Sequence, residues 1–240
     1  MRRVLLIIFF VVSFVHADSL KQSFDLGFTN TTGNSQTTNL NGKYRARYST
    51  IGLHHKKLHI KFSLAAYYAE NRDVKSNEEY TSSLSLEQYI QYKWLGYFLF
   101  EWLRNPDFKN YNGKYDFSIG AGKRIYKTDS QNLKVKFGLG YTIEDYANDL
   151  PTKRYASLVE NIEYTNRLNQ LSLLYIKSKF WESFEDFSKN YEIGVIAGIK
   201  FNITKRLHIR FEEQVNYDNL PPQGSKKTDT KTIVSLGIRF

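Results

Sequence analysis

The sequence predicts an all-β fold, an antiparallel up-and-down transmembrane β-barrel of twelve strands, on three observations. Apolar and polar residues alternate with period two from Ser23 to the C-terminus. The alternating segments exceed the usual strand length of about five or six residues. An export-type leader precedes them all.

In that leader Arg2 and Arg3 form a basic start, Val4 to Val15 is an apolar run, and Val15-His16-Ala17 has the small-residue pattern of a cleavage site. Residues 1–17 therefore read as a signal peptide cut after Ala17, which leaves residues 18–240 for the barrel. The apolar run is too short for a helical span, and the mature part has no stretch of about 20 apolar residues. The negative mean hydropathy does not exclude a membrane, because only every second side chain of a barrel strand faces lipid.

The 240 residues fit one domain and include no cysteine. An exported chain without disulfides must be held by a closed hydrogen-bond network or a large core. The formal charge is +10, and with Arg2 and Arg3 removed it is +8. Lys and Arg are interspersed with acids rather than clustered, which argues against nucleic acid and for a solvated or lipopolysaccharide-facing surface.

Strands of about 9–15 residues, the length a tilted membrane strand needs, are expected to start near Ser23, Gln36, Leu58, Glu78, Gly96, Gly113, Leu133, Lys153, Leu171, Tyr191, Leu207 and Lys231. An even count returns both termini to one side, and ten or fourteen strands satisfy the same rule. The faces are clearest late in the chain. Leu207, Ile209, Phe211, Val215 and Tyr217 oppose His208, Arg210, Glu212, Gln214 and Asn216. Leu133, Val135, Phe137, Leu139, Tyr141 and Ile143 oppose Lys134, Lys136, Gly138, Gly140 and Glu144.

Short turns are expected at Leu95-Gly96, Asn166-Arg167 and Thr204-Lys205 on the periplasmic side. Longer polar links are expected at Asn71 to Asn77 and Leu220 to Thr228 on the outside. Gly120, Gly122, Gly138 and Gly140 fall on the inward face, where they ease curvature or make room for bulky side chains. The 18 Tyr, 17 Phe and 3 Trp suffice for girdles at both interfaces, and Trp94 and Tyr97 read as anchors bracketing one turn.

Leu236-Gly237-Ile238-Arg239-Phe240 resembles the terminal signal that outer-membrane barrels present to the barrel assembly machinery, with Leu236, Ile238 and Phe240 on one face. Thr32-Gly33-Asn34-Ser35-Gln36-Thr37 with Leu40, Glu78-Glu79-Tyr80, Gln91-Tyr92, Gly96-Tyr97-Phe98-Leu99-Phe100, Gly120-Ala121-Gly122 and Gly138-Leu139-Gly140-Tyr141 follow in order through most of the mature chain. In these motifs it resembles the family of salt-induced outer-membrane proteins, a domain family of undefined function. One departure is Asn105-Pro106-Asp107-Phe108, where the outer connection is expected to differ in shape. The resemblance implies an outer-membrane location and a barrel, and no activity.

The chemistry-bearing residues argue against an enzyme. His16 leaves with the leader, His54, His55 and His59 fall at a periplasmic turn, and His208 starts a strand on that same side. Lipolytic and deacylating barrels act from the outer leaflet, where no histidine is expected. Adjacent ligands on opposite strand faces make His54, His55 and His59 a poor metal site, so no cofactor or metal is expected.

The alternation turns Lys43, Arg45, Arg47, Lys61, Lys134, Lys136, Lys200, Arg210 and Arg239 inward, together with Glu79, Glu87, Glu101, Asp116, Glu144, Glu192 and Glu212. Such a lining implies either a narrow pore for small polar or anionic solutes, or a closed structural barrel whose charges neutralise one another. Lys43, Arg45 and Arg47 share one wall, with Glu79, Glu87 or their neighbours as the expected partners in a closed barrel. Outer-membrane lipid and lipopolysaccharide are the expected surroundings, and the sequence leaves the oligomeric state open.

Overall fold

The computed structural model describes residues 20–32, 37–71, 74–107, 109–148, 150–222 and 225–240. The leader with its cleavage site after Ala17 lies outside the described residues, as does Gly33-Asn34-Ser35-Gln36 of the opening motif.

Twelve strands follow one another: β1 Leu20–Thr32, β2 Thr37–Ile51, β3 Lys57–Asn71, β4 Val74–Tyr89, β5 Trp94–Asn105, β6 Tyr111–Lys127, β7 Gln131–Tyr146, β8 Lys153–Arg167, β9 Ser172–Ser183, β10 Tyr191–Asn202, β11 Leu207–Asp218 and β12 Thr228–Arg239. Each pairs antiparallel with its sequence neighbours, and β1 closes on β12 to complete the barrel. Phe24 faces Ile238, Leu26 faces Leu236 and Phe28 faces Val234 across that closure. The backbone of Phe240 exchanges hydrogen bonds with Gln22 at its end. Closure satisfies the ladder groups that an open edge would leave unpaired.

The wall is inside-out relative to a water-soluble fold. Leu26, Phe28, Ile119, Phe137, Leu139, Phe211, Val234 and Leu236 are exposed on the outer face, while Asp25, Glu79, Glu87, Lys134, Lys136 and Glu212 are buried inside. The buried apolar groups are small sets, such as Tyr89 with Leu95 and Tyr97, or Tyr155 with Val159 and Trp181. Gly138 makes room for one of them. A Cβ there would stand 2.3 Å from the Ile119 carbonyl oxygen and 2.6 Å from the Tyr97 hydroxyl.

The connections differ between the two ends. Residues 52–56, 90–93, 128–130, 168–171 and 203–206 are tight turns at the end that carries both termini. At the other end residues 147–152, 184–190 and 219–227 form longer connections.

Three expectations are corrected. Leu95-Gly96 lies within β5 and Asn166-Arg167 within β8, so both turns sit a few residues away. Asn71 to Asn77 is no long link, since Asn71 pairs directly with Val74 and the strand continues through Asn77. Beyond the apolar belt both faces of a barrel strand are polar, so alternation fades while pairing goes on. Tyr97 is no interface anchor. Its position on β5 points into the barrel, where it is buried, whereas Trp94 is exposed.

Candidate functional site

The interior of the barrel is the candidate site. A twelve-stranded barrel with strands about 4.8 Å apart and tilted about 40° is roughly 24 Å across its backbone. Long Lys, Arg and Glu side chains from facing walls can therefore meet, and they do so at three levels.

Near the termini, Asp25 of β1 accepts from Arg45 of β2 at 2.5 Å and lies 2.9 Å from His208 Nε2 of β11. Arg210 Nε stands 3.3 Å away. In the same tier Glu87 of β4, 1% exposed, takes Lys61 at 2.8 Å, Lys134 at 3.0 Å and Lys136 at 3.1 Å. Glu163 of β8 shares those lysines at 3.5, 2.8 and 2.5 Å. Three ammonium groups thus hold two carboxylates that would repel if left alone.

At mid-height Glu212 accepts from the Tyr175 hydroxyl at 2.6 Å and faces Lys43 at 3.7 Å. Lys179 of β9 reaches Glu101 of β5 at 2.5 Å and Asp116 of β6 at 3.4 Å. Toward the long connections Glu79 takes Lys231, Lys109 at 3.3 Å and the Asn105 amide at 3.1 Å. Burial alone would push the Lys109 ammonium down, but Glu79 and Asp229 outweigh it and hold its pKa above the usual lysine value. Glu144 accepts from the hydroxyls of Tyr146 at 2.5 Å and Tyr155 at 2.7 Å, and pairs with Lys114, which also pairs with Glu192.

Several pairs join strands far apart around the wall: Lys61 of β3 to Glu163 of β8, Lys179 of β9 to Glu101 of β5, and Lys231 of β12 to Glu79 of β4. Some of the inward charges nonetheless remain accessible to solvent. The side chains of Glu101 and Lys179 are 37% and 28% exposed although both point inward. Charge is also graded along the axis. Glu79, Glu144, Glu192, Asp218 and Asp229 stand toward the long connections with Lys109, Lys114 and Lys231 among them, and Arg45, Arg47, Lys61, Lys134, Lys200 and Arg210 toward the termini with Asp25, Glu87 and Glu163 among them.

The site residues singled out from sequence occupy these tiers. Lys43, Arg45 and Arg47 share the inner wall of β2. The partners of Lys43 and Arg45 are Glu212 and Asp25, not Glu79 or Glu87: Asp25 stands on the adjacent strand β1, and closure of β1 on β12 brings Glu212 of β11 within reach of β2. Arg47 is exposed and has no carboxylate within ion-pair distance among the described residues. Glu79, Glu87, Glu101, Lys134, Lys136, Arg210 and Glu212 each lie in the clusters above. Leu236 and Ile238 lie on the outer face with Phe240 exposed after them.

Sequence reasoning missed Asp25, Lys114, Glu163, Lys179 and Lys231. Parity with the recognised inward residues of their own strands was the signal that could have found them. The Ser49 Oγ is 2.9 Å from His59 Nδ1. Glu87, opposite His59 in the ladder, is committed to three lysines. Among the described residues no group of three His, Asp or Glu is placed to hold a metal ion.

The family model described as "Protein of unknown function, DUF481" matches residues 24–240. The chain belongs to that family. Its description names no function, and the salt-induced name attached to the motifs above is not part of it. No curated protein matches the chain.

Among solved structures it is similar to the NanC porin, with a TM-score of 0.54 at 8% identity over 90% of this chain and 98% of that one. It is similar to an outer-membrane channel from Pseudomonas putida F1, with a TM-score of 0.54 at 11% identity over 94% and 97%. A bacterial polysaccharide outer-membrane secretin matches with a TM-score of 0.50 at 8% identity over 93% and 99%. At these identities the likeness is one of fold.

Proposed function

We propose that the protein is an integral outer-membrane barrel whose lumen is a narrow passage for small polar solutes, with a preference for anions. The single observation that carries this reading is that inward-facing Glu101, Lys179 and Lys177 are reached by water although they stand inside the wall. Charged side chains with water between them line a conducting path, while a dry plug would exclude water from its charges. An exposed apolar outer wall supports the membrane location. Phe240, exposed after the outward-facing Leu236 and Ile238, supports delivery by the barrel assembly machinery. Lipid and lipopolysaccharide are the surroundings this reading requires. Catalysis is not part of it. The resemblance to salt-induced proteins adds that expression rises with external salt, which transcript levels in high-salt medium would test.

A closed structural barrel is the second reading, favoured by the ion pairs that cross between distant strands. Planar-bilayer conductance of the refolded protein separates the two. Discrete steps with a reversal potential shifted toward the anion side support the passage. An insulating bilayer at confirmed insertion refutes it and selects the closed barrel.

A further inference from the structure

Near the termini the inner wall carries more cations than its carboxylates can neutralise, and they are placed against one another. Lys200 of β10 stands directly opposite Arg210 of β11, and Arg47 of β2 directly opposite Lys61 of β3. Like charges facing each other across a ladder are destabilising unless something screens them. Arg45 and Arg210 share one carboxylate, Asp25, and Lys61 is taken by Glu87 and Glu163. Lys177 of β9 faces Glu163 in the ladder, yet Glu163 is occupied by Lys61, Lys134 and Lys136.

Arg47, Lys177 and Lys200 consequently have no carboxylate within ion-pair distance among the described residues, and water reaches all three. They are not scattered. Lys200 stands opposite Arg210, which shares Asp25 with Arg45, and Lys177 on the adjacent strand β9 faces Ile196 of β10, four residues along that strand from Lys200. Cations with free donors gathered on neighbouring strands inside a barrel are the chemistry that binds oxyanions.

We propose that this end of the lumen holds a binding site for a small, multiply charged oxyanion, with Lys177 and Lys200 as its ligands and Arg45, Arg47 and Arg210 supplying the surrounding field. The site deepens the channel reading and rests on it: it names the solute class, and it places the anion-selective point of the passage at the termini end.

Isothermal titration of the refolded full chain in neutral detergent with inorganic pyrophosphate tests the site without requiring conductance. Saturable one-to-one binding is expected, weakening about tenfold in Lys177→Gln and again in Lys200→Gln, and restored by Lys177→Arg. Lys189→Gln, in the connection at the other end, is expected to bind as the parent does. Because Lys177 makes no close ion pair and Glu163 opposite it is held by three other lysines, its neutralisation is expected to leave the heat-modifiable folded band intact. A loss of folded protein in Lys177→Gln would overturn the assignment in favour of a structural role. No heat of binding, or equal binding by the parent and the double variant, also overturns it. Conductance without pyrophosphate binding sinks the site and leaves the passage standing. Binding in a protein that does not conduct sinks the passage and leaves the site.

Discussion

Neutralising Glu87 tests whether the charge clusters hold the barrel together. In Glu87→Gln the side chain keeps its volume and loses its charge, so Lys61, Lys134 and Lys136 are left with Glu163 alone. Breaking a buried ion pair by removing one partner costs about 3–5 kcal/mol. All three lysines retain a second carboxylate, which places the expected cost at the low end, about 3 kcal/mol. Glu163 is 21% exposed, so water partly replaces its charge, and Glu163→Gln is expected to cost about 1–2 kcal/mol. With both acids gone three ammonium groups face one another, and the double variant should exceed the sum by about 1–3 kcal/mol. Urea unfolding from lipid vesicles, followed by tryptophan fluorescence and by gel mobility of the folded band, measures all three values. If Glu87→Gln costs under about 1 kcal/mol, or no more than Glu163→Gln, then water screens this tier and the reasoning from burial is wrong.

Other perturbations probe the remaining walls and ends. Leu139, 58% exposed on the outer face of β7, is expected to cost about 2–4 kcal/mol when changed to Arg; a neutral result in the same urea assay would mean that this face meets water. Gly138→Ala would drive a Cβ against backbone at 2.3 Å and is expected to lose about 1–3 kcal/mol, whereas Gly96→Ala, with nothing nearer than 3.9 Å, should change little. Epitope tags inserted at Asp186 should be labelled on intact cells and tags at Asn169 only after permeabilisation; the opposite pattern reverses the orientation.

Much of this architecture was written in period two. The inward parity of Arg210, Glu212, Lys134 and Lys136 follows from their apolar neighbours alone, because each side chain must take one face or the other. Strand ends were less legible. At Asn71 to Asn77 pairing outlasts the apolar belt, and hydropathy stops reporting a strand that hydrogen bonding continues. Pairing partners were not legible at all. Lys61 meets Glu163 and Lys231 meets Glu79 only because the sheet curls shut, and no local pattern encodes which strands then face each other. Asp25 shows the cost of that gap, since it binds Arg45 and His208, residues far from it along the chain.

The closure of β1 on β12 also constrains how such a wall can be made. Every other ladder joins consecutive strands, so eleven hairpins can zip in order, each close in sequence. The last ladder joins the two ends of the chain. Its extra loop-closure entropy is small, about 2 kcal/mol, because that penalty grows only with the logarithm of length. The greater barrier is chemical. Until Gln22 meets Phe240, the outer strands of the unfinished sheet present two rows of amides and carbonyls that hydrocarbon cannot solvate, each group costing several kcal/mol. In the proposed membrane setting a partly zipped sheet therefore cannot wait in the bilayer, and insertion proceeds together with the final pairing.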